Sequence, residues 1–149
     1  MQLTLAHVGT PPKSADPLNG LTRSYLERCS PFARCHEQVF ASEAALLDWL
    51  DRKSGRTPAT AIFFDSRGRQ LSSEGFARWV GEQRDRGAQH LVVAIGPADG
   101  WSDAARNRAG LLVSLGSLTL PHALARLVAA EQIYRAFTIL TGHPYHTGH

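Results

Sequence analysis

The residues best suited to proton chemistry lie at the two ends of the last long segment of the chain. His122 follows Pro121 in LGSLTLPH (115–122), and His143, Tyr145, His146 and His149 crowd the last seven residues. An imidazole titrates near neutral pH and can accept or donate a proton, while a phenol can orient a ring or stack on it. The i, i+3, i+6 spacing of His143, His146 and His149 also invites a metal reading. No cysteine or acid stands beside them in sequence, so the expectation is that the tail holds no metal. Segment 115–122 offers the hydroxyls of Ser117 and Thr119, the apolar Leu118 and Leu120, and Gly116, which tolerates unusual backbone angles. Pro121 and His122 open a helix whose first amides favour negative charge. Together these suit a small molecule with an apolar ring and a carboxylate. A second glycine-bearing turn, IGPADG (95–100), lets backbone approach a ligand, although a plain tight turn explains it too. It is neither a Walker loop nor GxGxxG. Asp65 and Asp99 stand at strand ends, where turn formation competes with catalysis. GxSxG, HExxH and paired catalytic carboxylates are absent, so hydrolase chemistry has little support.

These groups need a frame, and hydrophobic patterning supplies one. Strands are expected at Gln2–Val8, Cys35–Phe40, Ala59–Phe64, Leu91–Ile95 and Leu111–Leu115. ATAIFF and LVVAI lack polar alternation, which suits strands buried on both faces. Helices are expected from Gly20 to Cys29, after a Ser42 cap until Gly55 and Pro58, from Ser72 or Ser73 to Asp85, after Ser102, and from His122 to Leu140 with Gly142 as the stop. Residues 11–19 read as a loop, as does Asp65–Arg69. Strands alternating with helices imply an α/β fold, a mainly parallel sheet with flanking helices, formed by residues 1–149 as one domain. In such sheets ligands sit beyond the carboxyl ends of the strands, where loops 65–71, 96–101 and 116–121 converge. The last helix is apolar on more than one face, which fits either a central core helix or one that also packs on a second subunit.

Composition excludes several classes. With 43% hydrophobic and 19% charged residues, the 149-residue chain is neither disordered nor a coiled coil. No apolar run is long enough to span a membrane. The N-terminus does not read as a secretory signal, and Cys29 and Cys35 fit no zinc spacing, so a cytoplasmic protein with ordinary packing thiols is expected. The net charge of +3 permits nucleic acid as a partner without demonstrating it, although arginine supplies all but two of the 16 basic residues.

The run SLTLPHALARLVAAEQIYRAFTILTGHPYH (117–146) resembles the RlmH family of SPOUT-class methyltransferases. The resemblance rests on Leu120-Pro121-His122, Arg126, Glu131, Tyr134-Arg135-Ala136 and His143-Pro144-Tyr145-His146, with counterparts in LAHVGT (5–10) and DSRGRQLSS (65–73). It implies a SPOUT-like fold with a C-terminal trefoil knot, S-adenosyl-L-methionine as cofactor, and a homodimer. The implied reaction is N3-methylation of a pseudouridine in the helix 69 loop of large-subunit ribosomal RNA, on the assembled ribosome. Carried over by position, the cofactor contacts would be Phe64, Gly96, Pro97, Gly116, Ser117, Leu118, Thr119, Leu120 and Pro121. His122, Tyr145 and His146 would stand at the target base, with either His122 or His146 taking its proton. Arg135 and His143 would be RNA-facing, Arg135 alternatively structural. The chain departs from the family in Pro97, where a second glycine is usual, in Phe64, where leucine is common, and in Thr147, where a basic residue is usual. Pro97 has no N–H to offer a ligand. Rival readings are a methyltransferase for another RNA nucleotide, a ribosome-binding domain without catalysis, and a small-molecule enzyme using the same loops.

Overall fold

A computed structural model describes residues 1–52 and 58–147. Along the chain run β1 (Gln2–Val8), α1 (Pro17–Arg28), β2 (Arg34–Phe40), α2 (Glu43–Arg52), β3 (Thr60–Arg69), α3 (Ser73–Asp85), β4 (His90–Ile95), α4 (Asp103–Arg108), β5 (Leu111–Val113) and α5 (His122–Thr141). The strands form one sheet in the order β2-β1-β4-β3-β5, and every neighbouring pair is parallel. The expected fold class is therefore the one observed.

The two-residue side-chain period of a strand sorts the core into two layers. Leu91, Val93 and Ile95 of β4 share a face with Leu3, Leu5 and Ile62, under Leu26 of α1, Phe76 and Val80 of α3, and Ile133 and Phe137 of α5. Val92 and Ala94 share the opposite face with Ala6, Ala61 and Phe63, under Leu46 and Leu50 of α2 and Ala105 of α4. Each fully buried leucine, isoleucine or phenylalanine contributes roughly 1.5–3 kcal/mol. Helix α5 packs between α1 and α3, and Ala129, Ala130 and Ala136 let its neighbours approach closely. It is thus a central core helix, one of its two expected roles.

Local chemistry sets the helix starts. The hydroxyls of Ser42, Ser72 and Ser102 accept the N–H of Ala45, Gly75 and Ala105, as their positions imply. Helix α1 begins three residues earlier than expected because Asp16 caps it, its carboxylate accepting Leu18 N–H at 2.9 Å, and Pro17 fits the first turn. The stretch Asp65–Arg69, expected as a loop, continues β3. After a register shift, Arg69 pairs with Val113 and its carbonyl accepts Ser114 N–H at 2.9 Å. Gly68 permits this, since a Cβ there would lie 2.7 Å from the backbone of Leu112 and Val113. Strand β5 stops at Val113 rather than Leu115, because the Ser114 hydroxyl turns the chain by accepting Gly116 N–H. Gly142, left-handed, ends α5 one residue later than expected. The expected helix stop Gly55 and the tail residues Gly148 and His149 lie outside the described residues. Cys29 is buried in the core and Cys35 half-buried; both thiols are free. Among the described residues no helix is long and apolar enough to cross a membrane.

Candidate active site

Beyond the carboxyl ends of β3 and β5 lies a cleft of about 310 Å³, lined by Phe64, Gln70, Leu71, Ser72, Ser73, Phe76, Val113, Ser114, Leu115, Gly116, Val128 and Gln132. The parallel sheet puts it there, because the loops leaving β3 and β5 emerge at the same edge under α3 and α5. Its size falls at the low end of the usual range for small-molecule sites, roughly 300–1,000 Å³. Phe64, Leu71, Phe76 and Val128 supply an apolar wall. Ser72, Ser73, Ser114 and Gln132 supply hydroxyls and an amide. Gly116 sits at φ +115°, a conformation foreign to L side chains, and the space its Cβ would occupy is open. Such a lining accepts a flat apolar ring with polar edges.

A second cluster lies under the start of α5. His122 Nε2–H donates to the Gly96 carbonyl at 3.2 Å, and His7 Nε2–H donates to the Thr10 carbonyl at 3.2 Å. A carbonyl only accepts, so Nε2 carries the proton in both rings and Nδ1 keeps its lone pair when the ring is neutral. The rings meet edge-on at 5.1 Å between centroids. Burial first, then the nearby Arg126 charge, holds both below the ordinary histidine range, His7 down to about 4; the backbone carbonyls oppose this. Arg126 is itself buried, with Nη1 on the Asn19 side-chain oxygen at 3.1 Å and Nη2 on Glu37 at 3.0 Å. Its Nε has no partner among the described residues.

The buried His7 ties stability to pH. The unfolded ring takes a proton near pH 6.5 and the folded ring only near 4. Its contribution is therefore complete above pH 6.5 and is lost as pH falls toward 4, about 3 kcal/mol over that window. Denaturant unfolding at pH 7, 5.5 and 4.5 is expected to follow this slope. His7→Gln should flatten it; an unchanged slope in the variant would refute the assignment.

A third cluster holds the tail. Glu131 Oε1 accepts Arg135 Nε at 3.0 Å, Arg135 Nη2 at 2.5 Å and the Tyr145 hydroxyl at 2.9 Å. Arg135 Nη1 donates to His146 Nδ1 at 3.0 Å, and His146 Nε2–H reaches Glu74 at 2.8 Å. The Tyr145 ring packs edge-on against Tyr134 at 4.7 Å, with the Arg135 guanidinium 4.9 Å from its centroid. Burial, followed by hydrogen bonds to Tyr25 and Glu131, pushes the Tyr145 phenol above its usual range.

A family model described as "Predicted SPOUT methyltransferase" matches residues 1–146. The chain belongs to the SPOUT methyltransferase family. Within it, a relative from Koribacter versatilis named Ribosomal RNA large subunit methyltransferase H is 45% identical over 149 residues, all of both chains, which bears out the RlmH resemblance. A relative of the same name from Brucella ovis is 55% identical over 97 residues, 63% of this chain and 57% of that protein. Two solved structures share the fold. A probable methylase family protein from Haemophilus influenzae has a TM-score of 0.58 at 11% identity, covering 98% of this chain and 70% of its own. The SpoU methyltransferase AviRb from Streptomyces viridochromogenes, solved in complex with AdoMet, has a TM-score of 0.51 at 16% identity, covering 93% and 58%.

In this SPOUT domain some of the expected site residues fall into the three clusters, separated from one another, and others lie outside all three. Phe64 and Gly116 line the cleft. Gly96 does not; its carbonyl holds His122 and the Trp101 ring lies against it. Pro97 also lies outside the lining, and its carbonyl accepts Gly100 N–H at 2.9 Å. Ser117, Leu118, Thr119, Leu120 and Pro121 are likewise not part of the lining, and Leu118 is 82% exposed. His122 and the Tyr145–His146 pair do not meet within one chain: Glu131, which anchors the pair, lies nine residues along α5, about 14 Å at 1.5 Å per residue. Arg135 donates to Glu131 and to His146. His143 accepts Tyr145 N–H at 3.2 Å and shapes the turn. Asp65, the other strand-end candidate, ties β3 to α4 through Arg106 at 2.9 Å. Sequence reasoning reached Gln70 and Leu71 through loop 65–71 but missed His7, Glu37, Glu74, Gln132 and the Ser72–Ser73 part of the wall. The available signal was His7, a titratable residue inside an apolar strand.

Proposed function

We propose that this SPOUT domain methylates large-subunit ribosomal RNA, transferring the methyl group of S-adenosyl-L-methionine to N3 of a pseudouridine in the helix 69 loop of the assembled ribosome. The observation that carries this reading is the 45% identity, over the full length of both chains, to a protein named as a ribosomal RNA large-subunit methyltransferase. The cofactor reading fits the residues present. The apolar wall of Phe64, Leu71 and Phe76 suits an adenine ring, the serines and Gln132 suit its polar edges, and the open space over Gly116 admits close backbone approach. Pro97 stands outside that lining, so it gives no reason to infer lost binding. The family's trefoil knot belongs to the same reading; the return of the chain after β5 to set His122 beside Gly96 is consistent with it.

The cofactor supplies a methyl group already activated on a sulfonium, so the chain has mainly to position the base and take its proton. His122 suits the latter task better than His146. A neutral His122 with Nε2–H on Gly96 leaves Nδ1 free to accept the N3 proton. His146 spends its Nδ1 lone pair on Arg135 and its Nε2–H on Glu74. Tyr145, fixed by Glu131 and backed by Tyr134, orients the base. Because His122 and Tyr145 lie far apart on one chain, a homodimer in which the partner's tail reaches the His122 end completes the site. The target base enters splayed from its loop.

The test is transfer of labelled methyl groups to ribosomes lacking the helix 69 methylation, with mass mapping of the modified nucleotide. Label on N3 of that pseudouridine is expected; label elsewhere would keep the chemistry and overturn the substrate. Gly116→Val, which strains the backbone and fills the cleft, is expected to weaken calorimetric S-adenosylmethionine binding by more than about tenfold. An unchanged affinity would remove the cofactor from this cleft.

A further inference from the structure

The cleft and the tail are joined by a closed ring of hydrogen bonds. Within the cleft, the Ser73 hydroxyl donates to Gln132 Oε1 at 2.8 Å. Gln132 Nε2 then donates to Glu131 Oε2 at 2.7 Å. The other oxygen of Glu131 holds Arg135 and Tyr145; Arg135 holds His146; and His146 holds Glu74, the residue after Ser73. The ring thus clamps the start of α3, the middle of α5 and the tail together. Gln132 alone has one end in the cleft lining and the other on the carboxylate that sets the tail.

We propose that Gln132 is a positioning residue that couples occupancy of the cleft to the pose of Tyr145 and His146. This rests on the cofactor reading given above. A ligand filling the cleft excludes water from beside the Ser73–Gln132 bond. A hydrogen bond in drier surroundings is electrostatically stronger, and chains of such bonds reinforce one another. The Gln132 amide is then held in the orientation that donates to Glu131. Glu131 keeps both oxygens engaged, and the tail tightens. Linkage is reciprocal, so whatever factor the cofactor adds to tail order, the docked tail adds to cofactor affinity. The cofactor would therefore prepare the tail before RNA arrives. Gln132→Met keeps the length of the side chain and removes both hydrogen bonds. Ser73→Ala breaks only the cleft-side bond and leaves Gln132 on Glu131.

The test is amide hydrogen exchange of C-terminal peptides of the full-length protein, with and without saturating S-adenosylhomocysteine, its binding followed by calorimetry. In the unsubstituted protein the ligand is expected to slow tail exchange about fivefold, and truncation after Gly142 to weaken binding by a similar factor. In Gln132→Met and in Ser73→Ala, both of which alter the cleft lining, the ligand should bind more weakly, and with the ligand raised to saturation the slowing should vanish. Equal slowing in both variants overturns the relay. So does binding without any slowing in the unsubstituted protein, which leaves the cofactor reading intact. No binding heat at all overturns both.

Discussion

Glu37→Ala is expected to lower the melting temperature by roughly 6–12 °C, the equivalent of about 3 kcal/mol in a domain of this size. The reason lies in what it leaves behind. The Arg126 side chain is 4% exposed, and Glu37 is its charge partner at 3.0 Å. Asn19 satisfies one further nitrogen, and Nε is already without a partner among the described residues. Removing the carboxylate strands a buried guanidinium, which costs far more than the pair contributes over an apolar replacement. Arg126→Met in the Glu37→Ala background should therefore restore most of the loss, and a double-mutant cycle should give a coupling above about 1 kcal/mol. Thermal melts of the two single variants and the double variant decide it. A Glu37→Ala melt within about 2 °C of the parent would mean that solvent, not Glu37, compensates Arg126. The same double variant removes a positive charge near His7 and His122, so both rings should titrate higher.

Much of the frame was legible because it depends on local chemistry. A serine before an amphipathic run caps a helix whatever its tertiary context, and Ser42, Ser72 and Ser102 all do so. Unbroken apolar runs such as Leu91–Ile95 become strands covered on both faces. Asp16 and Pro17 carried an equally local signal, masked by the loop-like composition around them. The β3 extension was not legible, because Asp65–Arg69 holds turn-forming residues and becomes strand only through pairing with Val113. The site divides along the same line. Phe64 and Gly116 follow from strand-end position. The cleft's helical wall, Ser73 and Phe76 of α3 with Val128 and Gln132 of α5, depends on the packing of the two helices against each other, which no spacing within either helix reveals. His7 acquires meaning only from His122, brought beside it by the sheet and by the return of the chain after β5. The family resemblance named His122, Tyr145 and His146 as one group; geometry places His122 apart from the other two in a single chain, and this is the strongest argument for a second subunit in the site.

Glu131→Gln is expected to slow single-turnover methyl transfer about 100-fold, the usual consequence of misplacing reacting groups by about 1 Å. Glu131 is the common anchor of the tail. Its carboxylate takes two arginine N–H groups, the Tyr145 hydroxyl and the Gln132 amide. A glutamine has nearly the same shape but one acceptor oxygen and an NH₂ that only donates. It cannot face Arg135, Tyr145 and Gln132 at once. Arg135 then loses the charge that fixes it, and with it the hydrogen bond that orients His146. Tyr145→Phe removes one hydrogen bond and leaves the Arg135–Glu131 pair intact, so its loss should be about tenfold or less. The ordering of the two variants carries the argument. A merely structural Glu131 would lower the melting temperature and leave the rate per folded molecule unchanged. A positioning Glu131 lowers the single-turnover rate at saturating ribosome in protein that remains folded, and affects ribosome affinity less. If Glu131→Gln transfers methyl groups within about threefold of the parent, the pose of the tail is set elsewhere, and the Glu131 network only fastens it.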